Sequence, residues 1–163
     1  KRLTDFIANS NVYSAYYLLN PSHDTLAIVY KHYPIIDIVS MSDLYVKRIQ
    51  FPINKSVNRI TILDKLNAYV EDEVIYYTQY CYSDKYFYLL YNATLGKSID
   101  DLEKVEIHKF DWQGNLVMRY KLNCYIKTFF VDEKTNKIYV ATKKEEGMDY
   151  SIQVLSFNMN ASN

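Results

Sequence analysis

Three histidines, two cysteines and two short runs of carboxylates are the groups through which this chain could do acid–base, nucleophilic or metal chemistry. His23, His32 and His108 stand far apart, with no second ligand at metal spacing. A structural or solvent-facing role is the reading for each. Cys81 and Cys124 have neither the short spacing of a zinc or redox pair nor the number needed for a disulfide framework, so two isolated thiols are expected. Glu71-Asp72-Glu73 and Asp100-Asp101-Leu102-Glu103 offer the oxygen ligands a hard cation prefers, yet without the spaced ligands of a calcium loop. They read as solvated charge. A serine hydrolase needs a Gly-x-Ser-x-Gly elbow and a phosphate site needs a glycine-rich loop; the chain has 3 glycines and neither motif. No catalytic residue, metal ligand or cofactor is therefore expected.

Recognition by aromatic surface is the other chemistry on offer. The run Tyr76 to Tyr91, YYTQYCYSDKYFYLLY, carries seven of the chain's 18 tyrosines. Trp112 is the sole tryptophan. Trp112, Tyr77 and Tyr82 are the candidate binding residues, because an aromatic ring buries a large apolar area and Tyr or Trp keeps a polar handle. Abundant Lys, Ile, Asn and Tyr together are also what AT-rich codons produce, so the tyrosines need not answer a functional demand.

Bulk composition narrows the partners. Nineteen basic and nineteen acidic residues cancel, with no basic block, which argues against a nucleic-acid partner. No apolar run reaches the roughly 18 residues that a spanning helix needs. The chain starts at Lys1, so it reads as processed or excised, and a missing leader carries no information.

The elements that must position these residues are strands. Period-two alternation and short apolar runs dominate, and the chain is long enough for one domain with a sizeable core. Three segments share one grammar, an apolar strand, a polar turn and a second apolar strand: Tyr13 to Tyr30, Tyr76 to Tyr91 and Ile126 to Thr142. The first and third superpose without a gap, Asn20-Pro21-Ser22-His23-Asp24-Thr25 falling on Asp132-Glu133-Lys134-Thr135-Asn136-Lys137. Such turns suit hairpins because Asn, Asp and Ser bond their own backbone. A third strand follows each hairpin, at Ile35 to Met41, Val105 to Asp111 and Ser151 to Phe157. The first two copies add a fourth, at Tyr45 to Phe51 and Leu116 to Leu122, the latter after a turn in which Gly114 supplies positive φ.

The unit is thus a four-stranded antiparallel meander the size of a propeller blade. Repeat units run over about 12–52, 74–122 and 126–158. The inner strands are nearly continuous apolar runs, as expected where both faces of a blade are packed. The expected fold class is all-β, with β-propeller-type blades numbering about three, half of a six-bladed ring. Leu3 to Ala8 reads as an orphan strand. Exposed blade faces would be large apolar patches. The chain is accordingly expected to pair as a homodimer or to belong to a longer polypeptide. Two insertions break the pattern: 54–73, where the spacing allows a short helix capped by Ser56 or a loop with an extra strand, and 95–104, a solvated loop.

The stretch Val105 to Leu122, VEIHKFDWQGNLVMRYKL, resembles the strand-turn-strand signature of the TolB-like six-bladed β-propeller family common in Bacteroidetes. IKTFFVDEKTNKIYVAT and SDKYFYLLY are similar to the family's next-blade and hairpin elements, and the resemblance spans Val12 to Asn158. It implies a propeller on an exported protein, periplasmic or surface lipoprotein, and it brings no catalytic residues. The chain departs from the family in having about half the length that six blades need. Within that pattern the favoured place for Trp112 is packed over the adjacent blade.

The expected function is a non-enzymatic binding or assembly module that holds a protein or glycan through loops and aromatic rims. The alternatives are a propeller hydrolase or lyase with a cation on the axis, or a fragment of a larger propeller with no separate function. The enzyme reading needs convergent Asp, Glu, Asn or His from several first strands. Those strands offer Asn11, Thr78, Gln79 and Thr128, with no convergent carboxylates.

Overall fold

The computed structural model describes residues 14–51, 59–62, 68–71, 74–95, 105–143 and 150–156. The orphan strand at Leu3 to Ala8, Asn11, most of the 95–104 insertion and both acidic runs apart from Glu71 lie outside them. The described residues form thirteen strands and no helix. A first sheet holds β1 (Ala15–Leu19), β2 (Thr25–Tyr30), β3 (Ile35–Ser40) and β4 (Val46–Gln50) in sequential order. A ribbon of β5 (Arg59–Ile62) and β6 (Ala68–Glu71) follows. The second sheet holds β7 (Val74–Tyr82), β8 (Tyr86–Leu95), β9 (Val105–Asp111) and β10 (Leu116–Leu122). The third holds β11 (Thr128–Asp132), β12 (Lys137–Lys143) and β13 (Tyr150–Ser156). The registered pairs are all antiparallel and join neighbours in the chain, so the described residues are all-β, in meander sheets of propeller-blade type.

Turn chemistry sets the registers. Asn20 Oδ1 accepts from the amides of Asp24 and Thr25, and its amide group donates to Ser22 and Asp24, closing the β1–β2 turn on itself. Asp132 does the same for β11–β12 through the amides of Lys134 and Thr135. The two hairpins share one register: Leu19 faces Leu26 as Val131 faces Ile138. Gly114 sits at φ 82°, a region that costs a residue with a Cβ but not glycine, and Asp111 clasps Asn115 across that turn. Ser83 closes β7–β8, its amide donating to Tyr86 O and its Oγ accepting from the amides of Lys85 and Tyr86.

Segment 54–73 contains β5 and β6 in place of the helix that its spacing also allowed. Ile60, Thr61, Ile62 and Val70 are β-branched and stiff at χ1, which favours the pleated ribbon over a helix of this length.

The chain divides into two compact units, residues 1–77 with 93–99 and residues 78–92 with 100–163. In the first, Leu18, Ala27, Val29, Ile36 and Ile38 line one face of the first sheet and are all buried. In the second, one continuous core joins β8, β9 and β10 to β11 and β12: Tyr88, Leu90, Ile107, Tyr120, Leu122, Phe129, Val131, Ile138 and Val140. Phe87, Leu89 and Phe110 are buried on the opposite side of the same strands. Burial of successive residues Phe87 to Leu90 is what a sheet covered on both faces requires.

Candidate binding surface

The first sheet has one buried face and one open face. Register places Tyr17, Ile28, Asp37 and Arg48 in one row across the open face, and Leu19, Leu26, Val39 and Val46 in the next. Tyr17 is 66% exposed, and Leu19 and Val46 are also exposed. The β3–β4 turn continues the apolar surface with Met41, Leu44 and Tyr45. Leu44 is 69% exposed and sits at φ 57°, a left-handed backbone unusual for leucine. Asp43 Oδ1 accepts the Tyr45 amide, and the Ser40 amide donates to Tyr45 O, which together hold that turn.

One charged pair crosses this surface. Asp37 is buried, and Arg48 grips it with two hydrogen bonds, Nε to Oδ1 and Nη2 to Oδ2, each 2.7 Å. Tyr30 donates a third at 3.1 Å. A carboxylate cannot be buried in an apolar sheet without such partners. Those bonds from Arg48, more than the desolvation that opposes them, hold the Asp37 carboxyl below its ordinary range. Burial, with Asp37 beside it, raises the Tyr30 hydroxyl. The Arg48 side chain stays 58% exposed, so the sheet presents a neutralised guanidinium flanked by apolar residues. Sequence reasoning missed this pair. Its signal was an aspartate inside the run Ile35-Ile36-Asp37-Ile38-Val39.

The aromatic candidates fall on different sides of the surface. Tyr77 is fully buried. Trp112 is 5% exposed, donates from its indole N–H to Ser83 O at 3.2 Å, and lies 5.2 Å from the ring of Phe87. Tyr82 is 50% exposed and meets Trp112 edge-on at 6.1 Å. Of the three, only Tyr82 offers a broad open ring, on the rim of the second sheet.

A second polar cluster, also missed, ties two sheets together. Glu133 Oε1, in the β11–β12 turn, accepts from Ser83 Oγ at 2.6 Å and from Tyr88 OH at 2.8 Å. Lys109, a buried residue, places its ammonium 3.8 Å from the centre of the Tyr86 ring and 5.8 Å from that of Tyr88. Burial lowers the Lys109 pKa, and the charge of Glu133 works against that shift. Burial likewise pushes the Cys81 thiol up to about 12 and Tyr120 up to about 12, with Glu133 adding to both. Cys81 and Cys124 are free thiols. A thiol so raised carries almost no thiolate near neutrality, which suits packing and not nucleophilic attack.

The histidines are dispersed. His23 occupies the β1–β2 turn at φ 60°, and His32 is buried beyond β2. His108 is buried on β9, bonded to Glu106 at 2.8 Å and stacked on Tyr91 at 4.5 Å. Thr78 accepts from Asn92 Nδ2 at 2.9 Å. Among the described residues no three His, Cys, Asp or Glu side chains converge to hold a metal ion. Among them too, no helix is long and apolar enough to cross a membrane.

Burial outweighs the Glu106 contact and lowers the His108 pKa. The unfolded chain therefore takes up a proton first as pH falls. His108 contributes stability that is complete above about pH 6.5 and lost as pH drops through its depressed folded value, at no more than about 1.4 kcal/mol per pH unit. Asp37, also depressed, contributes above its unfolded value of 3.8 and fades only in stronger acid. Urea midpoints measured between pH 7 and 5 should decline for the native chain and flatten in His108→Phe. Equal slopes for the two proteins would remove His108 as the cause.

A family model described as TolB-like 6-blade propeller-like matches residues 6–134. No curated protein matches the chain. Among solved structures, a member of the DUF4221 family from Bacteroides vulgatus superposes with a TM-score of 0.49 at 11% identity, over 89% of this chain and 46% of that one. A proposed 6-phosphogluconolactonase from Bacteroides fragilis gives 0.37 at 12% identity, over 89% and 40%. The chain spans less than half the length of either structure.

Proposed function

We propose, from the premise that this chain belongs to the TolB-like 6-blade propeller-like family, that it is a non-enzymatic binding and assembly module. The observation that carries the reading is the open face of the first sheet. Tyr17 and Leu19 on β1 and Val46 on β4 lie bare on the same face as a guanidinium whose charge Asp37 already neutralises. Tyrosine and arginine in an apolar surround are the residue types on which binding energy concentrates. The strained, exposed Leu44 and its neighbour Tyr45 extend the patch into a loop. Rigid sheets with variable loops suit recognition, whether of a protein or of a glycan. Export to the periplasm or the cell surface forms part of the reading and follows from the family resemblance.

The labelled chain, applied to glycan and peptide arrays, should give saturable signals that Tyr17→Ala/Tyr45→Ala weakens at least about tenfold. That double variant touches only exposed rings, so its melting temperature should stay within a few degrees of the parent. Turnover of a panel of ester and glycoside substrates, with array binding absent, would replace the module by an enzyme.

A further inference from the structure

We draw no further inference here: the strongest candidate, the exposed apolar patch that Met41, Leu44 and Tyr45 of the β3–β4 turn form with Tyr17 and Leu19 of the first sheet, belongs to the surface already described, and nothing in the structure shows what covers it.

Discussion

Phe87→Ala lowers the unfolding free energy by about 3–5 kcal/mol, the usual cost of deleting a buried phenyl ring and leaving a cavity. Phe87 has no exposed surface. It stacks on Phe110, with centroids 5.2 Å apart and planes 12° from parallel, and the ring of Trp112 also lies 5.2 Å away. Removing it strips a partner from two rings at once. It sits near the start of β8, paired in register with Phe110, where main-chain bonds to β9 keep the backbone from collapsing into the void. A domain with a net stability of about 5–15 kcal/mol loses about a fifth or more of it. Urea unfolding followed through the sole tryptophan reads the change directly, since Trp112 is a lining residue. Phe87→Leu, which nearly conserves volume, should cost less than about 1.5 kcal/mol. A Phe87→Ala loss under 1 kcal/mol would mean that the stack does not hold this sheet.

Glu133→Ala costs about 2–3 kcal/mol, less than the phenyl ring but through a single exposed-side turn residue. The carboxylate is the common acceptor for Ser83 and Tyr88, 50 and 45 residues earlier in the chain. Without it the buried Tyr88 hydroxyl loses its acceptor, and the buried Lys109 loses its nearby negative charge. Hydrogen bonds to a charged group are the stronger kind, and the cost of stranding a buried donor adds to their loss. Ser83 Oγ also accepts from the amides of Lys85 and Tyr86, so its truncation removes turn bonds that Glu133→Ala leaves in place. Glu133→Gln keeps an acceptor and loses the charge, and should fall between parent and alanine. Combining Ser83→Ala with Glu133→Ala should cost at least about 0.5 kcal/mol less than the sum of the two. Strict additivity would show that Ser83 and Glu133 are not coupled across the sheets.

Much of the architecture was legible because it is local. Strands β9 and β10 begin and end at the bounds expected from the sequence, Val105–Asp111 and Leu116–Leu122. Asn20, Ser83 and Asp132 close their turns with their own side chains, and Gly114 takes the positive φ that its place in a tight turn demands. Each of these depends on residues within five positions. The ambiguous segment 54–73 shows the limit of periodicity, since apolar spacing there fitted a helix as well as the observed ribbon of β-branched residues.

The candidate surface was not local. Which of eighteen tyrosines are bare is decided by what covers each face, and alternation is silent on coverage. Tyr17 and Tyr77 are both strand tyrosines, yet one is open and the other sealed. Asp37 was recognisable as a polar intruder, but its grip on Arg48 appears only when β3 and β4 are in register. Glu133 looked like turn charge; folding brings it against a hydroxyl pair from another sheet. The amino-acid order determined strands, turns and all-β meander sheets through steric and hydrogen-bond preferences that act over a few residues. Only the tertiary structure decided which faces stay open and which charges are buried, because burial is set by partners distant in the chain.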